Sequence, residues 1–297
     1  MSRARLTRRE FVRHAALAAA ASPILGKTGS AIEAASTVWV DSETLAAPSG
    51  LPPFAPLPSG CAPVCWLDGV PPRECVGTTW GVAWPRGVHA RDTAFQMHTR
   101  SSGAPFASAL GKSVPMQTWP IAYWPDGTLK WTAHAIGGAA PLATDYVIGP
   151  GEPAAPPQAL VASESERSIV IDTGVIRATV ARSGPVFIEK IERAGSGRVV
   201  LRSGRLVCLR QDSSDAVASA PPEMFQGEIE RVSLEQAGPV RAVVKLEGRH
   251  RAENGGRQWL PFIMRVYFYA GSEAVRCLHT IVYDGDDQVD FIRGLGL

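Results

Sequence analysis

Charge of one sign is what this sequence has least of. Its 30 Lys and Arg stand against 28 Asp and Glu, a net charge of +2. That is too small for the electrostatic footprint of sequence-independent nucleic-acid binding, so no nucleic-acid partner is expected. Long apolar runs are scarce too: the longest, residues 15–25, is Ala-rich and too short to cross a bilayer. Five cysteines (Cys61, Cys65, Cys75, Cys208 and Cys277) are an odd number, so full pairing within the chain is excluded. No histidine cluster with zinc-ligand spacing lies near Cys61 and Cys65, which sets a metal site there aside. What is abundant is Gly and Pro, roughly 18% of the chain against roughly 12% on average. With 45% hydrophobic residues the chain folds, and the punctuation favours short strands over helices.

Residues 1–36 read as an address and not as fold. A basic stretch (Arg3, Arg5, Arg8, Arg9, Arg13) precedes the Ala-rich run, and small residues at Ala34-Ala35-Ser36 or Ser30-Ala31 suit a signal peptidase. Within it, Thr7-Arg8-Arg9-Glu10-Phe11-Val12-Arg13 resembles the twin-arginine export motif. A signal helix, the twin-arginine translocation machinery as partner, and a periplasmic or extracellular location are the expectations. Residues 37–63 hold six prolines without a sustained period and read as a linker. An oxidising compartment would permit a disulfide among Cys61, Cys65 and Cys75, with no pairing assignable.

Residues 64–150 are expected to form a small β-barrel and carry six of the eight tryptophans. Residues 117–124, then Pro125-Asp126-Gly127, then 128–136 have the layout of a β-hairpin. A three-residue loop pairs Trp124 with Thr128. It puts Trp119, Ile121, Tyr123, Leu129, Trp131, Ala133 and Ala135 on one face, and Thr118, Thr128, Lys130, Thr132 and His134 with Trp124 on the other. That register separates apolar from polar, so it is preferred to the two-residue alternative, with the polar face expected toward solvent. Residues 151–167 read as a linker. From 168 to 297, runs at 168–173, 175–181, 186–193, 199–202, 228–235, 240–251, 259–269 and 274–283 suggest an antiparallel β-sandwich. The chain stops in apolar sequence, which reads as a sandwich cut short. The fold class is all-β.

Three ordered stretches carry a resemblance. Trp80-Gly81-Val82-Ala83-Trp84-Pro85-Arg86-Gly87 is followed by Pro115 through Trp131; Leu260-Pro261-Phe262 leads to Tyr267-Phe268-Tyr269-Ala270-Gly271-Ser272; and Tyr283-Asp284-Gly285-Asp286 leads to Asp290-Phe291-Ile292-Arg293-Gly294. Together, over residues 64–297, they resemble the YetA-like family that includes exo-acting rhamnogalacturonan lyases. The resemblance implies a small N-terminal barrel, a central β-sandwich and a C-terminal α/α toroid, the last of which is missing here. It implies β-elimination at a galacturonic acid of rhamnogalacturonan, with a pectic polysaccharide or oligosaccharide as partner and a fragment inactive alone.

That chemistry needs a cation on the uronate carboxylate and a base for the adjacent proton. Lys130 and His134 are the catalytic candidates; about 13 Å apart on one strand, they line a cleft and do not form a dyad. Arg86, His89 and Arg91 in the adjoining loop are substrate-binding candidates. Trp84 and Trp124 are candidate sugar platforms, although Trp in a small barrel is more often core. Asp284, Asp286, Asp287 and Asp290 would suit calcium, but the run departs from the EF-hand order and reads better as a solvated turn; no cofactor is expected. The competing readings are a non-catalytic carbohydrate-binding module and a truncated reading frame without function of its own.

Overall fold

The computed structural model describes residues 57–101, 110–214, 221–253 and 255–297. The expected signal helix of residues 1–36 lies outside them, as does residues 37–56 of the linker. Every element among the described residues is a strand, as the Gly and Pro punctuation implies.

Two sheets make the barrel. One has the order β1 (Ala62–Cys65), β7 (Asp145–Pro150), β3 (Phe95–Arg100) and β4 (Leu110–Ser113); the other has β2 (Thr78–Ala83), β6 (Leu129–Ile136) and β5 (Gln117–Tyr123). Alternation drives closure: Phe95 and Met97 of β3 point inward while Gln96 and His98 do not, and Tyr146 and Ile148 of β7 meet them in one core with Trp84, Leu129 and Ile136. Pro120 interrupts β5 without harm because β5 is an edge strand, where a missing N–H breaks no ladder on its open side.

The sandwich sets β12 (Val199–Gly204), β11 (Ile188–Arg193), β10 (Ile176–Ala181), β9 (Ser168–Asp172) and β8 (Val161–Glu164) against β17 (Arg276–Ile281), β16 (Gln258–Tyr269), β15 (Arg241–Ala252), β14 (Glu223–Ala237), β13 (Val207–Gln211) and β18 (Phe291–Gly296). Ile169, Ile171, Ala178 and Val180 on one sheet face Val244, Leu246, Met264 and Val266 on the other. The outer face of the larger sheet carries ion pairs in place of a core: Arg231–Glu247 at 2.6 Å, Lys245–Glu247 at 2.8 Å and Arg265–Glu235 at 2.7 Å. Strands β8 and β13 fall where no strand was expected, β8 inside the 151–167 linker; both are four- or five-residue segments of mixed polarity with little periodic signal. All five cysteines are unpaired, and burial pushes the Cys208 thiol up to about 11.

The hairpin corrects one expectation. Its loop is the three-residue one: Trp124 N–H donates to Thr128 O at 2.8 Å, and Tyr123 pairs with Leu129. The two faces, however, do not keep one burial along the strand: Leu129 enters the barrel core, and past the register shift between Ala122 and Tyr123 it is the polar set that turns inward. Thr132 and His134 point into the barrel at 1% and 0% exposure, while Trp131 and Ile121 are 42% and 59% exposed. The polar residues tolerate burial because they bond one another, as described below. Part of the apolar face is covered by the sandwich, where Ala135 and Trp119 pack on Val240, Tyr267 and Tyr269.

That contact is built around the turn after β16. A Cβ at Gly77, whose φ is +95°, would collide with the Tyr269 ring, and one at Gly137 with the Ala270 carbonyl. Gly138 N–H donates to Ala270 O at 2.8 Å, and the Thr79 and Tyr269 hydroxyls lie 3.0 Å apart. From the barrel side Gln117 Oε1 accepts from the Val240 and Arg241 amides at 3.1 and 2.8 Å.

The aspartate run is a second correction. Asp290 is 2% exposed and accepts from Arg210 Nε at 2.5 Å and from Arg257. Asp284 pairs with Arg249 at 2.8 Å and accepts from the Leu260 amide, where the backbone turns left-handed at φ 46°. Asp290 is therefore an internal fastener, Asp284 an exposed but paired one, and the exposed Asp286 and Asp287 keep the character of a solvated turn. Arginine, first through the Arg257 hydrogen bond, holds the Asp290 carboxyl well below the usual carboxylate range against the opposing effect of burial.

Candidate functional site

The loop from Trp84 to Arg91 and the hairpin tip are fastened together. Trp84 N–H donates to Lys130 O at 2.9 Å and Leu129 N–H to His89 O at 3.0 Å. Asp126 sits in the turn, accepting from the Thr128 hydroxyl at 2.6 Å and from Arg86 Nε at 2.7 Å; these bonds bring its carboxyl down to about 2. Arg86 is thereby committed to a turn carboxylate. Gly87 N–H closes the clamp on Thr128 Oγ1 at 3.1 Å.

Two other cations are placed differently. Lys130 Nζ lies 4.6 Å from the centre of the Trp124 ring, and the Arg91 guanidinium 4.2 Å from that of Tyr123. Neither has a carboxylate partner among the described residues. An aromatic face orients such a cation without neutralising it. Trp124 is itself fixed, half-buried, with Nε1 donating to Trp84 O at 3.0 Å.

The remaining candidates lie inside. Trp84 is 3% exposed, stacked on Phe95 with ring centres 5.0 Å apart, so it offers no face to a sugar. His89 is buried against the same two rings, 4.5 and 4.9 Å away, and burial lowers its pKa. His134 has both ring nitrogens occupied, Nε2 2.7 Å from Thr132 Oγ1 and Nδ1 2.9 Å from Thr118 Oγ1; burial depresses its pKa to about 4. An imidazole so enclosed is not a base for an incoming C–H, which corrects its placement on an exposed hairpin face. Lys130 and His134 do share strand β6 but serve different surroundings.

Two of the cavities lined by barrel residues border β6. The larger, about 880 Å³, lies by β1, the segment that follows it and β2, and reaches the core residues Met97, Ile136 and Tyr146; Trp66, Trp80, Trp131 and Pro71 line it, and Asp68 is its one charged residue. The smaller, about 360 Å³, is bounded by Arg91, Asp92, Thr118, Trp119 and Thr132, with Pro153 and Pro239 closing it from the following segments. It unites Arg91 with the two hydroxyls that hold His134. Thr118, Thr132 and Trp119 were missed as site residues. The legible signal was Thr132-x-His134 on one strand, an i, i+2 pair that must share a face. Among the described residues no group of three or more His, Cys, Asp or Glu side chains is arranged to hold a metal ion.

Residues 61–151 match the PcRGLX-like N-terminal RIFT barrel domain, and residues 160–297 match the PcRGLX-like protein central beta sandwich domain. Uncharacterized protein YetA of Bacillus subtilis (strain 168) is 32% identical over 234 residues, which are 78% of this chain and 26% of that protein. The chain thus spans about a quarter of the length of this curated relative.

Proposed function

Because the chain belongs to the PcRGLX-like family, a rhamnogalacturonan lyase-like group, we propose that its barrel receives the uronate-bearing backbone of a pectic polysaccharide during β-elimination. The observation that carries this reading is the pair of oriented, carboxylate-free cations, Lys130 over Trp124 and Arg91 over Tyr123. In the reaction a base removes the proton from the carbon bearing the carboxylate. The C–H electrons form the new double bond, the glycosidic C–O bond breaks, and the leaving oxygen takes up a proton. A guanidinium on the carboxylate acidifies that proton by stabilising the developing negative charge. Arg91 has the chemistry for that task, and Lys130 that for proton transfer. His134 is left to structure. Arg86, tied to Asp126, shapes the loop and does not reach for substrate.

Export fits the same reading. The Thr7 to Arg13 motif supports passage through the twin-arginine machinery to the periplasm or beyond, where pectic fragments are met. Replacing Arg8 and Arg9 together by Lys is expected to retain the protein in the cytoplasm, read by cell fractionation; unchanged export removes that route.

The test of function is incubation with rhamnogalacturonan oligosaccharides, following the ultraviolet absorbance of the unsaturated uronate. Where turnover is seen, Lys130→Ala lowers kcat far more than it raises KM, because a transition-state contact is lost. Saturable binding without unsaturated product favours the carbohydrate-binding module, which uses the same surface. Neither binding nor product ends the proposal.

A further inference from the structure

The inner face of the larger sheet carries two histidines that the barrel chemistry does not use. His250 of β15 is fully buried, and its ring centre lies 5.6 Å from that of His279 on the edge strand β17. Phe262 of β16 packs against both, its ring centre 5.2 Å from that of His250 and 5.8 Å from that of His279. Burial lowers the pKa of both imidazoles, so both are neutral at pH 7. Nδ1 of His250 lies 2.8 Å from Leu260 O, which can only accept, so Nδ1 carries the ring proton. Nε2 of His250 then offers a bare lone pair, buried and without a donor, and Nε2 of His279 is buried and unpartnered as well. Orphaned buried nitrogens on two neighbouring rings call for a physical reason. The backbone behind His250 holds its orientation. Leu260 sits at φ 46°, a left-handed conformation that strains a residue with a Cβ, and its amide donates to Asp284 Oδ1 at 2.8 Å, with Asp284 paired in turn to Arg249.

A ring N–H given to a backbone carbonyl is the usual support of a metal-ligating imidazole, because it fixes the tautomer and the ring. The spacing agrees: a metal–nitrogen bond of about 2.0 Å, and about 1.1 Å from nitrogen to ring centre, set two imidazoles on one ion about 5–6 Å apart. A third donor is adjacent. Met264, 1% exposed, is the cross-strand partner of His279, and opposed Cβ atoms lie about 5 Å apart. We infer that His250 Nε2, His279 Nε2 and the Met264 thioether form a site for one monovalent copper ion. Softness and charge select the ion. A thioether beside imidazoles suits Cu(I). No carboxylate bonds to either ring among the described residues, and Phe262 and Ile281 belong to the surrounding core, so a divalent ion would be buried without compensating charge. Cys277 shares the face, two residues before His279, without joining the two rings as a third ligand. The site makes no use of the barrel and stands whether or not the proposed function does.

The experiment is anaerobic titration of the full chain with Cu(I), followed by nitrogen-15 NMR of the histidine rings, which this diamagnetic ion permits. Of the six histidines, His250 and His279 alone should shift, together and complete at one equivalent, with Nδ1–H of His250 retained. Competition with a chromogenic Cu(I) chelator reads the affinity. Met264→Leu, which conserves volume, is expected to weaken Cu(I) binding about tenfold, and His279→Gln at least about a hundredfold. Uptake of Cu(I) with both rings unshifted would assign the ion to the cysteines and overturn the site. Absence of uptake, an Nε2–H tautomer of His250 in the free chain, or Zn(II) held by these rings more tightly than Cu(I) would overturn it as well. The ring spectra come from the unaltered chain, so they decide even if neither variant folds.

Discussion

His134 shows at the residue scale how a side chain that invites a catalytic reading is taken up by structure. An exposed histidine on a hairpin would be free to serve as a base, but this one is 0% exposed with hydroxyls on both nitrogens. The consequence is a pH dependence of stability. Its pKa falls from 6.5 in the unfolded chain to about 4 in the fold, so the unfolded state binds the proton first as pH drops. The stabilisation is complete above pH 6.5 and is lost between pH 6.5 and about 4, by on the order of 3 kcal/mol for this one group. His279, also held at about 4 by burial and then by the neighbouring His250, adds loss in the same window. Urea unfolding at pH 7.5 and pH 5 checks this: a lower midpoint at pH 5 is expected, and equal midpoints would refute the burial account. Asp290 adds its loss at lower pH, because its folded carboxyl lies below its unfolded value and its stabilisation goes only as pH falls through the folded one.

Asp290 also marks what could not be read locally. Its partners Arg210 and Arg257 are 80 and 33 residues away in sequence, so four aspartates in a short run looked like a hydrated turn. Asp290→Asn is expected to cost on the order of 3 kcal/mol by leaving two guanidinium groups facing a neutral amide, moderated by the partial exposure of Arg257. Denaturant titration reads it; a change under about 0.5 kcal/mol, the ordinary range for surface substitutions, would make the pair ornamental.

For the elements, turn chemistry was the most legible feature. Pro125-Asp126-Gly127 stated the hairpin loop correctly, because Asp126 caps the turn with its own carboxylate and Gly127 sits at φ +85°. Long sandwich strands such as β15 and β16 announced themselves by alternation. The burial of the hairpin faces was not legible, since period 2 says which residues share a face and not which neighbour covers it. Here Tyr269 and Val240, more than a hundred residues later, cover the Trp119 and Ala135 side, and the barrel core accepts Thr132 and His134 because their hydrogen bonds close on one another. The same close packing makes Gly77 intolerant: Gly77→Ala should cost on the order of 1–3 kcal/mol, through overpacking against Tyr269 and a left-handed backbone. An unchanged urea midpoint would show that the turn after β16 yields easily.

Across the whole molecule, barrel and sandwich share a contact of side chains, amides and closely approaching glycines, so tryptophan fluorescence from the barrel and far-ultraviolet circular dichroism should report one unfolding transition. Two separated transitions would mean that the contact is weak. The family to which both domains belong was legible in three motifs, and each has a physical place: the barrel clamp at Trp84 and the hairpin, the barrel–sandwich contact at Tyr269, and the Asp290 fastener. The central claim, that this shared body presents its oriented cations to an acidic glycan, is tested most directly by titrating one rhamnogalacturonan oligosaccharide in two forms, native and carboxyl-reduced, into the chain. The account predicts saturable binding of the native form, binding at least about tenfold weaker after reduction, and loss of that difference in the Arg91→Ala, Lys130→Ala double variant. Equal binding of both forms, or none of either, would contradict it.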